Sequence, residues 1–272
     1  MDFNTEQTLK EVNVSKLTDN WDVINEGIWS PVKCMDINCG FGYTTRYFLL
    51  PELHNRATII GTDSSKTMIE YARSKYKNHE RIEFDVLDIQ TKNLPEEYIT
   101  AFDHIFSFPT VHSRNDILQE FQNVYQMLKP GGKFHLSMVI SHDAFTLYKN
   151  MVDHPTFGSY FEKYTAPFDN PEREVKRLLL RLGFNVRYCR SVPNMKYKTD
   201  YLLPYIFSGL SFINELSSEQ EKDLKNELTI CYNKIEKRID SDVSNASNVD
   251  ESNYRDMYDI LQLSATKPRR DG

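Results

Sequence analysis

Between residues 33 and 141, five short apolar runs alternate with helical stretches, and this alternation constrains the fold more than any other feature of the chain. The runs VKCMDI (32–37), ATIIGTD (57–63), RIEFDVLD (81–88), FDHIFSF (102–108) and GKFHLSMVI (132–140) have the length and the β-branched or aromatic content of strands. The middle runs are apolar on both faces, as parallel strands covered by helices on each side must be. Helical patterns at 43–50, 66–76 and 115–128 lie between them, the last ended by Pro130-Gly131-Gly132. Repeated βα units around a parallel sheet follow from this order.

After residue 141 the pattern becomes mostly helical and rich in Phe and Tyr. One such stretch covers 141–175 and a second covers 200–240. PEREVKRLLLRLGF predicts a helix closed by Gly183, NVRYCRSV a strand after it, and MYDILQLSATK a last strand. These late strands bring the sheet to seven. Residues 1–31 read as an N-terminal helical arm, and the whole of 1–272 as a single domain.

Composition narrows the partners. With 33 Lys+Arg against 39 Asp+Glu the 272-residue chain carries a formal charge of −6, and its cations are dispersed, which argues against nucleic acid. Four cysteines form no metal-binding spacing and no disulfide framework, so no metal is expected. No stretch approaches a membrane span and the first residues lack the apolar run of a leader, so a cytoplasmic location is expected and no membrane partner. Oligomeric state is not readable from the sequence.

Asp36-Ile37-Asn38-Cys39-Gly40-Phe41-Gly42 ends the first strand and opens the first helix, where an α/β sheet makes its binding crevice. Small residues there let a ligand approach the backbone, beside the unpaired N–H groups of a helix start. Asp63 closes the second strand about twenty residues later, the position from which a carboxylate accepts from ribose hydroxyls. Asp88 closes the third. A single acid at a strand end is as often a helix cap as a ligand contact, but three at successive strand ends point to a nucleotide-like site.

With these three acids, the FDHIFSF strand and LKPGGKF, the chain resembles the class I S-adenosylmethionine-dependent methyltransferases. That resemblance implies a Rossmann-like seven-stranded α/β sheet with helices on both faces, and S-adenosylmethionine as cofactor. It further implies that Asp36, Asn38, Gly40 and Gly42 pack against the methionine part, that Asp63 with Ser64 and Met68 binds the ribose, that Asp88 and Ile89 frame the adenine, and that Ser107 lines the crevice. Asn38 stands where the family has its first glycine, and Asn also tolerates positive φ.

The segments GTDSSKTMIEYARSKY, FDVLDI, AFDHIFSFPTVHSR and ISHDAFTLYKNM look like the insect juvenile hormone acid methyltransferase family, which methylates a carboxylate on an apolar sesquiterpenoid. Its fourth-strand motif, approximately Phe-Tyr-x-Leu-His-Trp, corresponds to Phe108-Pro109-Thr110-Val111-His112-Ser113. The histidine is kept and the tryptophan is replaced. His112 is accordingly the candidate catalytic residue, against the ordinary reading of a lone histidine as structural, with His142 as its rival and a candidate substrate contact. Phe108, Phe145, Tyr148 and Phe207 are the further candidate acceptor contacts, the last three from the aromatic stretches read as an apolar lid. Plain core is the alternative for each of these rings.

The expected enzyme is an O-methyltransferase acting on a small apolar molecule. Its acceptor is either a juvenile-hormone-acid-like carboxylate, ionised at neutral pH, or a small phenol, which must lose a proton. The rival from another class is a methyltransferase-like protein that binds an apolar ligand without turnover.

Overall fold

The computed structural model describes residues 30–108, 116–164, 168–198, 207, 210–243 and 254–269. The expected N-terminal arm, His112 and most of the segment 200–209 lie outside these residues. The five apolar runs form β1 (Lys33–Ile37), β2 (Thr58–Asp63), β3 (Ile82–Val86), β4 (Phe102–Ser107) and β5 (Leu128–Ser141). The late strands are β6 (Asn185–Lys198) and β7 (Tyr254–Thr266). They make one seven-stranded sheet in the order β3-β2-β1-β4-β5-β7-β6. β1 to β5 pair in parallel, whereas β7 runs antiparallel between β5 and β6. This is the Rossmann-like seven-stranded α/β sheet expected from the sequence.

The helices depart from expectation in two places. The pattern at 43–50 becomes a wide π-type turn, Thr45–Leu49, running into the short α1 (Leu50–Glu52). Helix α2 (Lys66–Lys75) starts where expected, its Ser65 cap accepting from the Met68 amide. Helix α3 (Ile117–Met127) is not stopped by the glycines, because it ends at Met127 and the chain enters β5 directly. Pro130-Gly131-Gly132 instead forms an irregular stretch of β5, across which the pairing jumps from Phe102↔Leu128 to His104↔Lys133. Gly131 takes φ +83° there, and a Cβ on Gly132 would lie 2.9 Å from the Lys129 carbonyl and 3.0 Å from that of Phe102. The Lys267 ammonium donates to the carbonyls of Tyr125 and Leu128, closing the end of α3 that the glycines do not close.

Alternation along the strands sorts the core. Met35, Ile37, Phe134, Leu136, Leu261 and Leu263 face α3 and α6 (Pro171–Arg181), forming the main core with Phe121, Val175 and Leu179. Because α6 packs on the sheet, the first aromatic insertion ends before it rather than at 175. Cys34, Ile59 and Phe106 pack on the other side with Ile69 and Ala72 of α2. A third cluster joins the aromatic helices α4 (Asp143–Met151), α5 (Gly158–Phe161) and α7 (Ser218–Val243) to Val139 of β5 and Ile260 of β7.

At the β3 edge, Arg73 of α2 donates from Nε to the Phe84 carbonyl at 2.7 Å and pairs through Nη2 with Asp85, whose other oxygen accepts from the Tyr98 hydroxyl. Among the described residues no helix is long and apolar enough to cross a membrane.

His104 of β4 and His135 of β5 meet ring to ring, Nδ1 to Nε2 at 3.1 Å, with Phe106 stacked beside them. Burial pushes His104 down to about 4 and His135 well below its usual value, and it also pushes His142 down to about 4. The unfolded chain, with histidines near ~6.5, therefore binds more protons than the fold as pH drops below that value. The stability these three histidines contribute is full above about pH 6.5 and declines toward pH 4, by up to about 1.4 kcal/mol per histidine per pH unit. Urea unfolding of His142→Asn, which keeps a capping side chain, should decline less steeply over this window than the wild type. An unchanged slope would remove His142 from the acid response.

Candidate active site

β1 has β2 on one side and β4 on the other, so the loop after β1 opens at the point where the strand order reverses. Three residues of that loop are left-handed: Asn38 (φ 59°), Gly40 (φ 55°) and Gly42 (φ 77°). Asn38 thus adopts the conformation that a glycine would supply. The two glycines do different work. A Cβ on Gly42 would lie 2.4 Å from the Phe84 ring and 3.2 Å from Tyr76, whereas one on Gly40 would meet nothing within 4 Å. Gly42 lets the loop lie against β3; Gly40 exposes bare backbone beside open space.

Asp63 ties the loop to β2. Its Oδ2 accepts from the Gly40 amide and its Oδ1 from the Ser65 amide, both at 2.9 Å. The Cys39 amide adds a bond to the Thr62 carbonyl. Each Asp63 oxygen keeps a further acceptor site, and the side chain is half-buried.

The strand-end acids differ in burial. Asp36, on the interior strand β1, is 1% exposed, and its Oδ2 accepts from the Thr45 hydroxyl at 2.6 Å. Burial pushes its carboxyl up to about 7, the Thr45 hydrogen bond works against that rise, and nearby Asp63 adds to it. Asp88, past the edge strand, is exposed and caps the next turn through the Gln90 amide.

The other expected cofactor contacts divide. Ser64 is exposed, Met68 half-buried at the start of α2, and Ser107 buried where β4 ends, paired with Ile37 and Leu136. Ile89 sits beside Asp88 in sequence, but its side chain belongs to the main core and its carbonyl accepts from Asn123 at 2.7 Å. That side chain is structural, and an adenine contact there would fall to the backbone.

Phe108 is buried against the α2 side of the sheet. Tyr148 is 1% exposed and packed on Phe161 and Tyr164, so it is core of the aromatic unit rather than a free lining ring. Phe157, Phe161 and Phe212 are equally buried. Phe145 and Phe207 stay half-buried at the margin of that cluster, with the Lys225 ammonium 5.8 Å from the Phe207 ring. His142 caps α4, its Nδ1 accepting from the Ala144 amide at 2.8 Å. Burial keeps the ring neutral at pH 7, so its proton lies on Nε2, which makes Nε2 a donor. The residue missed in the sequence is Thr45; the signal was a hydroxyl side chain one turn beyond the glycine loop.

Residues 35–134 match the family model described as a methyltransferase domain. Over those residues the chain is similar to that family. Over 157 residues it is 32% identical to juvenile hormone acid O-methyltransferase of Drosophila melanogaster, a match covering 55% of this chain and 53% of that protein. The match thus spans about half the length of that relative.

Among solved structures, a putative methyltransferase of Bacillus halodurans superposes with a TM-score of 0.56 at 15% identity, covering 94% of this chain and 99% of that one. Phosphoethanolamine N-methyltransferase 2 of Haemonchus contortus, in complex with S-adenosyl-L-methionine, gives 0.54 at 18%, covering 94% of this chain and 52% of that one. These likenesses establish the fold. The cofactor implied for a methyltransferase domain is S-adenosylmethionine, as expected from the sequence. The bare Gly40 backbone beside open space, and the acceptor capacity left on Asp63, fit such a group.

The two glycines should separate in experiment. Gly42→Ala combines a left-handed backbone with a ring overlap and should cost about 2–4 kcal/mol in urea unfolding, against about 1–2 kcal/mol for Gly40→Ala, which meets only the backbone penalty. Equal losses would mean that the Phe84 contact does not hold the loop.

Proposed function

We propose that the chain is an S-adenosylmethionine-dependent O-methyltransferase acting in the cytoplasm on an oxygen of a small apolar molecule, a carboxylate in the first instance. The observation that carries this reading is Asp63, held by two backbone amides beside the bare Gly40 with an acceptor site left on each oxygen. In this reading Asp63 accepts from the ribose hydroxyls, while Asp36, Asn38, Gly40 and Gly42 hold the methionine part. Ser64, Met68, Asp88 and Ser107 complete the cofactor contacts.

The bound cofactor supplies an electrophilic methyl group on a sulfonium. The chain's own task is then to align an acceptor oxygen and exclude water. A carboxylate is already ionised at neutral pH and needs no base. His142, at the end of β5, is kept as a candidate acceptor contact, and Phe145 and Phe207 suit the role of apolar wall. The likeness to the Drosophila juvenile hormone acid O-methyltransferase supports an acid as acceptor. Ser113, where the resembled motif has tryptophan, favours a second reading, a small phenol with His112 as its base.

Calorimetry with S-adenosylhomocysteine tests the site: Asp63→Ala should lose roughly ten- to a hundredfold in affinity, the worth of a charge-assisted hydrogen bond. Unchanged affinity would sink the assignment. Incubation with methyl-labelled cofactor and a panel of apolar acids and phenols then identifies the acceptor. Tight cofactor binding without label transfer to any of them favours the binding-protein alternative.

A further inference from the structure

Thr45 holds a position that the cofactor reading does not explain. It is fully buried, on the first residue of the wide turn, and its hydroxyl donates to Asp36 at 2.6 Å. Its own carbonyl accepts from the Leu50 amide five residues on, so the π-type widening begins at this residue. Such insertions distort a helix at some cost and concentrate at functional sites.

We propose that Thr45 is a positioning residue for Asp36, and that the hydroxyl–carboxylate contact sets the pH range in which the protein receives the cationic amino-acid end of its methyl donor. The inference rests on the cofactor reading above and deepens it. The surroundings of Asp36 give the contact its weight. From β2, Asp63 faces it with a like charge, and Thr62 donates from its hydroxyl to the Asp36 carbonyl at 3.5 Å. The register partner on β4 is the apolar Phe106, and the loop contributes the buried Cys39 thiol, itself pushed up by burial and by both acids. Burial and Asp63 both favour the protonated carboxyl, so the Thr45 hydroxyl is the neighbour that favours the charged form. A protonated Asp36 has no charge with which to meet an ammonium group.

The test is the affinity for S-adenosylhomocysteine, measured calorimetrically from pH 5.5 to 9. Wild-type affinity should fall toward acid, by up to tenfold per pH unit below the midpoint. Thr45→Val should move that midpoint up by about one pH unit, and Thr45→Ser, which keeps the hydroxyl, should restore it. A midpoint unmoved in Thr45→Val overturns the inference. If Thr45→Val does not fold, Asp36→Asn decides: a flat profile supports the inference, and a persisting acid limb overturns it. Wild-type protein that binds no S-adenosylhomocysteine at any pH would instead defeat the cofactor reading, leaving the two failures distinguishable.

Discussion

The hydrogen bond from the Gly40 amide to the Asp63 carboxylate joins the end of β1 to the end of β2, and the arrangement of the crevice depends on it. Without an acceptor at that point the Gly40 amide would lose its partner, leaving the loop held to β2 by the bond from the Cys39 amide to the Thr62 carbonyl. With it, one carboxylate orients the loop through one oxygen and caps the start of α2 through the other. The group proposed to read the ligand is therefore also the group that shapes the place where the ligand lies.

A second constraint is the gradient of burial across the three acids. Asp36 is enclosed on the interior strand β1, Asp63 half-enclosed on the next and Asp88 open beyond the edge, as their positions in the sheet dictate. An enclosed carboxyl is costly to ionise. Asp36 raised to about 7 weakens the fold as pH rises from the ordinary carboxylate range toward neutrality, because the unfolded chain releases that proton first. The Thr45 hydroxyl offsets part of that cost. The histidines of β4 and β5 act in the opposite direction, favouring the fold as pH rises, so the two kinds of buried group oppose each other between pH 4 and 7.

The sheet was legible in the sequence because buried parallel strands leave continuous apolar runs between helical patterns, and all five early runs are strands. The strand-end acids were legible because position along such a strand fixes which end a residue occupies. Other features depend on partners distant in sequence. Pro130-Gly131-Gly132 looks like a helix stop until Lys267, from the far end of the chain, is seen closing α3 in its place. Ile89 resembles a ligand contact only by adjacency to Asp88; the parity of the main core claims its side chain. Tyr148 and its aromatic neighbours pack chiefly on one another, and a composition rich in rings does not distinguish a second core from a lining. His112 lies outside the described residues.

Arg73 has a consequence for the life of the molecule outside its crevice. A parallel sheet ending in β3 would offer its outward carbonyls to any extended chain that drifted past, and such an edge is how sheets recruit one another into aggregates. The guanidinium on the Phe84 carbonyl, with Asp85 and Tyr98 bound alongside, fills the middle of that edge with side chain. A passing strand would have to break a charge-assisted bond before making its first backbone pair, so the thin side of the sheet has a built-in guard against self-association.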